Sequence, residues 1–192
     1  MNPIVISHLC KAYDGKPVLR DFSAVLAPGR ITALMAPSGG GKTTLLRILM
    51  KLETADSGSI QGLEGLRLSA VFQEDRLCPG LDPVANIRLV KPSLRPEAVM
   101  EAMKEIGLVD CFHQKTRELS GGMKRRVAIL RALLADYDLL LMDEPFRGLD
   151  KETKALVMSY TARQCRGRTV LLVTHDPSEL EAMGIETCLH FQ

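Results

Sequence analysis

A run of nine residues, Ala36-Pro37-Ser38-Gly39-Gly40-Gly41-Lys42-Thr43-Thr44, breaks an otherwise aliphatic stretch. Before it, Ile31 to Ala36 reads as a short apolar strand; after it, Lys42 to Lys51 carries Leu45, Leu46, Leu49 and Met50 at helical spacing. Three glycines open backbone conformations that other residues avoid, and lysine followed by two threonines has little structural purpose at a helix start. Backbone N–H groups, the positive end of a helix, an ammonium and a hydroxyl together suit a phosphate and its divalent cation. The plainer alternative is a flexible turn ahead of a helix.

The rest of the chain predicts the surroundings of this loop. From Ile4 to Ala27 the residues alternate, with Asp14-Gly15 as a hairpin signal, which fits a small antiparallel sheet. Asp56 to Gly65 reads as turns, Leu68 to Phe72 as a strand ending at Gln73, and Pro79 to Glu118 as helices broken by Pro83, Pro92 and Pro96. Next come a helix over Ser120 to Ala135, a strand over Asp138 to Asp143, a helix over Lys151 to Gln164 and a strand over Thr169 to Thr174. This alternation predicts an α/β fold, a mainly parallel sheet flanked by helices, with a small N-terminal antiparallel β-subdomain and a helical subdomain at about residues 79–135. The whole chain, 1–192, is expected to form one domain.

Two further motifs carry chemistry. Leu139-Leu140-Leu141-Met142-Asp143-Glu144 is an aliphatic strand ending in two carboxylates, where ligands bind on a parallel sheet; one can hold Mg²⁺ while its neighbour polarises a water. An ordinary strand running into an acidic loop is the alternative. Leu119-Ser120-Gly121-Gly122-Met123, followed by Lys124, Arg125 and Arg126, opens a helix with a capping serine and two glycines, each costing about 1 kcal/mol relative to alanine. Capping accounts for the serine alone; a second anion site accounts for the glycines too.

The nine-residue run is close to a P-loop, with Ala36 where the strict pattern has glycine. Taken in order, the motifs resemble those of the nucleotide-binding subunit of an ABC transporter, from Tyr13 to His175. The resemblance implies ATP and Mg²⁺ as cofactors. It implies Ala36 to Thr44 around the phosphates, Lys42 on the outer ones, and Thr43, Gln73 and Asp143 around the metal. Glu144 matches the catalytic base, Gln73 the Q-loop glutamine, His175 the switch histidine and Asp150 the D-loop aspartate. Tyr13 matches the aromatic that stacks on adenine, and Ser120, Gly121 and Gly122 the signature capping ATP held by a second copy. Met123, Val71 to Leu77 and Met142 to Phe146 are similar to the nitrate, sulfonate and taurine branch of importer ATPases. Arg147 stands where a small residue is usual, and Ser57 to Ala70 looks shortened. The implied partners are a second copy, integral membrane permease subunits and a solute-binding protein, with no nucleic acid. The implied place is the cytoplasmic face of the cell membrane, and no regulatory domain is expected after His190.

Composition agrees where it speaks. No run of A, V, I, L, M, F, W, Y or C exceeds four residues, against about 20 for a membrane span. The N-terminus lacks an export pattern. Five cysteines without a C-x-x-C pair read as reduced thiols. A net charge of +2 is too balanced for a nucleic-acid tract. The alternative function is a non-transport ABC ATPase acting on DNA or ribosomes, or a nucleotide-binding module without turnover. Against the first stand the short span between Gln73 and Leu119, without heptads, and the single copy of each motif; against the second stand Glu144 and His175.

Overall fold

The computed structural model describes residues 2–35 and 40–190. Ile4–Tyr13 (β1) and Lys16–Leu26 (β2) pair antiparallel, and the two-residue turn between them needs positive φ at both positions. Asp14 and Gly15 supply it, at 49° and 76°. The five-residue strands Ile31–Met35 (β3) and Ser57–Gln61 (β4) flank the helix Lys42–Leu49 (α1). β4 lies inside the segment expected to be turns. It pairs with the free edge of β1, so a partner supplied by tertiary structure makes a strand of an exposed Ser-Gly-Ser-Ile-Gln sequence.

Further along come Leu68–Val71 (β5), the helices Pro83–Arg88 (α2) and Pro96–Glu105 (α3), a 3-10 turn at Thr116–Glu118, and the helix Gly121–Leu133 (α4). Leu139–Asp143 (β6), Lys151–Gln164 (α5), Thr169–Thr174 (β7), Pro177–Met183 (α6) and Thr187–His190 (β8) complete the order. Five strands form a parallel sheet in the order β5-β6-β7-β3-β8, beside the antiparallel sheet β2-β1-β4. The α/β architecture expected from sequence is therefore present, with β8 added at one edge.

β6 and β7 are buried at every position, as central strands covered on both faces must be. Their alternation splits the core in two. Leu139, Leu141, Leu171 and Val173 pack with Leu45, Leu46 and Leu49 of α1 and with Ile4, Leu19 and Leu26 of the small sheet. Leu140, Met142, Val170 and Leu172 pack with Met103, Val127, Leu130 and Val157 from α3, α4 and α5. α1 and the helical segment thus grip opposite faces of one sheet.

From Pro79 to Leu133 the chain carries helices and turns alone. Pro83 and Pro96 start helices rather than break them, because proline in the first turn sacrifices no intrahelical hydrogen bond. Asn86, fully buried, joins this segment: its amide accepts from the Cys78 N–H at 2.8 Å and donates to the Cys78 carbonyl at 3.0 Å and Thr116 Oγ1 at 2.9 Å. Thr116 in turn donates to the Leu81 carbonyl at 2.7 Å. Asn86→Ala should lower unfolding stability by about 3 kcal/mol in a urea titration, since it strands several of these buried groups; a loss under about 0.5 kcal/mol would remove Asn86 from this role.

Candidate active site

Parallel strands deliver functional groups at their carboxyl ends, and here β3, β6 and β7 are adjacent and end together. The chain leaves β3 for the glycine run, of which Gly40 and Gly41 are described; the expectations at Ala36, Pro37, Ser38 and Gly39 lie outside the described residues. Gly41 starts α1 in the left-handed region at φ 82°, and its carbonyl accepts from the Leu45 N–H at 2.9 Å. A Cβ there would sit 2.5 Å from the Val18 carbonyl oxygen and 2.8 Å from Leu19 Cδ2. Only glycine fits.

A cavity of about 250 Å³ opens at this point, lined by Val18, Gly40, Gly41, Lys42, Thr43, Thr44, Gln73, Asp143, Glu144 and Arg147. Thr43 Oγ1 donates to Asp143 Oδ2 at 2.8 Å, joining the first turn of α1 to the end of β6. Asp143 is 5% exposed, and burial foremost, with the Glu144 charge adding, pushes its carboxyl above the usual range against Thr43, Lys42 and Arg125. A buried carboxylate beside a hydroxyl fits a hard divalent cation. Among the described residues no group of three or more His, Cys, Asp or Glu is placed to hold a metal ion.

Glu144, next along the chain, has φ 45° and donates its N–H to the Val173 carbonyl at 2.9 Å. Its Oε1 lies 3.6 Å from Lys42 Nζ and 3.3 Å from His175 Nδ1, and its Oε2 lies 3.4 Å from Arg147 Nη1. Lys42, Glu144 and His175, which sequence places on three separate elements, are therefore brought to one point, with Arg147 as a fourth member. His175 follows β7 on a loop that Asp176 pins: Lys154 Nζ lies 2.6 Å from Asp176 and 2.7 Å from Glu179, and the Lys154 hydrogen bond holds the Asp176 carboxyl down to about 2.

Other sequence-predicted residues do not line this cavity themselves. Ser120 caps α4, its Oγ accepting from the Met123 N–H at 3.3 Å, and Ser120 and Gly121 are exposed. Asp150 caps α5 through the Thr153 N–H at 3.0 Å. Tyr13 ends β1 at 39% exposure; desolvation and Glu53 raise its phenol, with a hydrogen bond to Thr44 opposing. A larger concavity, about 760 Å³, lies at the other end of the sheet between Arg30, Arg163, Arg166 and Glu181. Strand amino ends border it, with neither a glycine run nor a helix start, so size alone does not select it.

Residues 19–147 match the ABC transporter family. The chain belongs to the ABC transporter family. It is an ATPase of that family, and similar proteins cover most of its length. An aliphatic sulfonates import ATP-binding protein of Agrobacterium fabrum is 39% identical over 92% of the chain and 71% of its own length. A taurine import ATP-binding protein of Escherichia coli O157:H7 is 37% identical over 96% and 78%, and an aliphatic sulfonates import ATP-binding protein of Rhodococcus jostii is 40% identical over 87% and 70%. The resemblance to the sulfonate and taurine branch of ABC ATPases is thus upheld.

Sequence reasoning missed Arg125, buried on α4 inside a basic run that reads as a charged face, and missed the Lys154-Asp176-Glu179 group. The signal for Arg125 was its spacing: it falls on the helix face shared with Ala128, Ile129 and Ala132, all buried. The raised Asp143 carboxyl has a consequence for stability. The unfolded chain releases that proton first, so the contribution of Asp143 is complete below the ordinary carboxylate range and is lost as pH rises toward the raised value. Asp143→Asn at neutral pH, without nucleotide, should therefore leave Tm unchanged or raise it by about 2 °C in a thermal melt; a fall of more than about 5 °C would contradict this sign.

Proposed function

We propose that the chain binds and hydrolyses Mg-ATP at the cavity between α1 and the end of β6, and does so to drive import of a small solute. The observation that carries this reading is the meeting of Lys42, Thr43, Asp143 and Glu144, from the start of α1 and the end of β6, around one glycine-walled space, with His175 reaching Glu144 from the end of β7. Lys42, 7% exposed, meets the outer phosphates, and the backbone of Gly40 and Gly41 approaches them without side chains in the way. Thr43, Asp143 and Gln73 hold Mg²⁺, which when bound neutralises charge on the phosphoryl oxygens. Glu144 orients the attacking water and accepts its proton, and His175, within 3.3 Å, steadies that carboxylate from the β7 side.

The active unit is a dimer. Ser120 and Gly121 are exposed at the start of α4 and do not line their own chain's cavity, so they are free to cap ATP held by a second copy. Tyr13 receives the adenine, and Asp150 stands at the interface. Membrane permease subunits on the cytoplasmic side receive the motion, and a solute-binding protein delivers the cargo. The import names of the sulfonate and taurine relatives support transport over an ATPase acting on DNA or ribosomes. Among the described residues no helix is long and apolar enough to cross a membrane, in keeping with a pore made by partners.

Two substitutions test the reading. Glu144→Gln should keep Mg-ATP affinity, lower kcat at least about 100-fold and give an ATP-dependent dimer in size-exclusion chromatography; normal turnover would remove Glu144 from its role. Lys42→Ala should weaken Mg-ATP binding at least about 10-fold by calorimetry, and an unchanged affinity would sink the phosphate assignment.

A further inference from the structure

Arg125 is 5% exposed, and its guanidinium reaches five main-chain carbonyls on two separate segments. Nε donates to the Pro145 carbonyl at 2.7 Å, and Nη2 donates to those of Asp143 at 2.9 Å and Glu144 at 2.7 Å. Nη1 donates to the carbonyls of Phe72 at 2.5 Å and Gln73 at 3.3 Å, and lies 3.3 Å from Asp75 Oδ1. A guanidinium has five N–H donors in a planar fork, and here every nitrogen is engaged. One side chain of α4 therefore ties together the segment containing Gln73 and the turn that carries Glu144.

That turn is where such a tie matters. Glu144 holds φ 45°, a left-handed conformation that a glutamate adopts only where its surroundings impose it. Three of the five carbonyls, those of Asp143, Glu144 and Pro145, bracket this residue. Arg125 stands five residues after Ser120 on a continuous helix, so α4 cannot shift at its exposed start without pulling on both segments.

We infer that Arg125 is a positioning residue for ATP hydrolysis: it fixes the Glu144 turn and the Gln73 segment to α4, so that displacement of the Ser120–Gly122 helix start moves this chain's own base and Gln73 together. The inference rests on the proposed ATPase reading and adds a route by which the face offered to a second copy acts on the local carboxylate.

The test compares steady-state and single-turnover hydrolysis of Mg-ATP by the full chain as wild type, Arg125→Lys, Glu144→Gln and the double variant. Lysine keeps the charge but has one nitrogen and cannot bridge the two segments. Arg125→Lys should lower kcat at least about 10-fold with KM within about two-fold, and should add no further loss to Glu144→Gln. Wild-type kcat in folded Arg125→Lys, or losses that multiply in the double variant, would overturn the inference. Absence of turnover in the wild type would instead overturn the ATPase reading. A measurement on the wild type covers the case in which the variant does not fold. Hydrogen exchange on adding Mg-ATP should change together at residues 72–75, 120–126 and 143–145, and a change confined to residues 40–44 would overturn the inference.

Discussion

The geometry of the site depends on the left-handed backbone of Glu144. Along β6 the side chains alternate, Leu139 and Leu141 toward α1 and the small sheet, Leu140 and Met142 toward α3, α4 and α5. Asp143 continues the first set and meets Thr43 of α1. A regular strand would send Glu144 to the opposite face, away from Lys42. With φ 45° the chain swings round, and the second carboxylate joins the first at the same cavity, while the Glu144 N–H stays bonded to β7. A left-handed glutamate costs on the order of 1–3 kcal/mol, and the hydrogen bonds that the turn accepts from Arg125 and donates to the Val173 carbonyl offset it.

The remaining architecture serves to bring three strand ends to that turn. The helix start after β3 supplies Lys42 and Thr43, and the loop after β7 supplies His175, held by Lys154 through Asp176 and Glu179. Leu45, Leu46 and Leu49 lock α1 onto one face of the sheet, and α4 grips the other. Because interiors pack densely, a movement of α4 is passed on rather than absorbed. The electrostatics follow from the same arrangement: Asp143 is buried at a cost in stability, which supports the place beside a cation proposed for it.

Much of this was legible in the sequence because it is local. β7 and α5 run over the residues that apolar runs and helical spacing mark, and β6 falls one residue short of its predicted start. The glycine run, the paired carboxylates and His175 were recognisable by residue type and order. What escaped depends on tertiary partners. β4 is a short polar segment that becomes a strand because β1 has an open edge, and β8 pairs with a strand more than 150 residues earlier. Asn86 looks like a surface residue in a one-dimensional reading, and Arg125 is marked only by its helical spacing within a basic run. They are buried because main-chain carbonyls and N–H groups of loops, which have no sequence signature, need partners inside the molecule. Arg147 is only a departure from the usual small residue in the sequence, and the fold places it beside Glu144.

The most direct measurement is a crystal structure of the Glu144→Gln chain grown with Mg-ATP. The terminal phosphate should lie within hydrogen-bonding distance of Lys42 Nζ, in the space lined by Gly41, Thr43, Gln73 and Asp143, with Ser120 of the partner subunit closing over it. Nucleotide seated instead in the larger concavity between Arg30, Arg163 and Arg166, at the opposite end of the sheet, would contradict it.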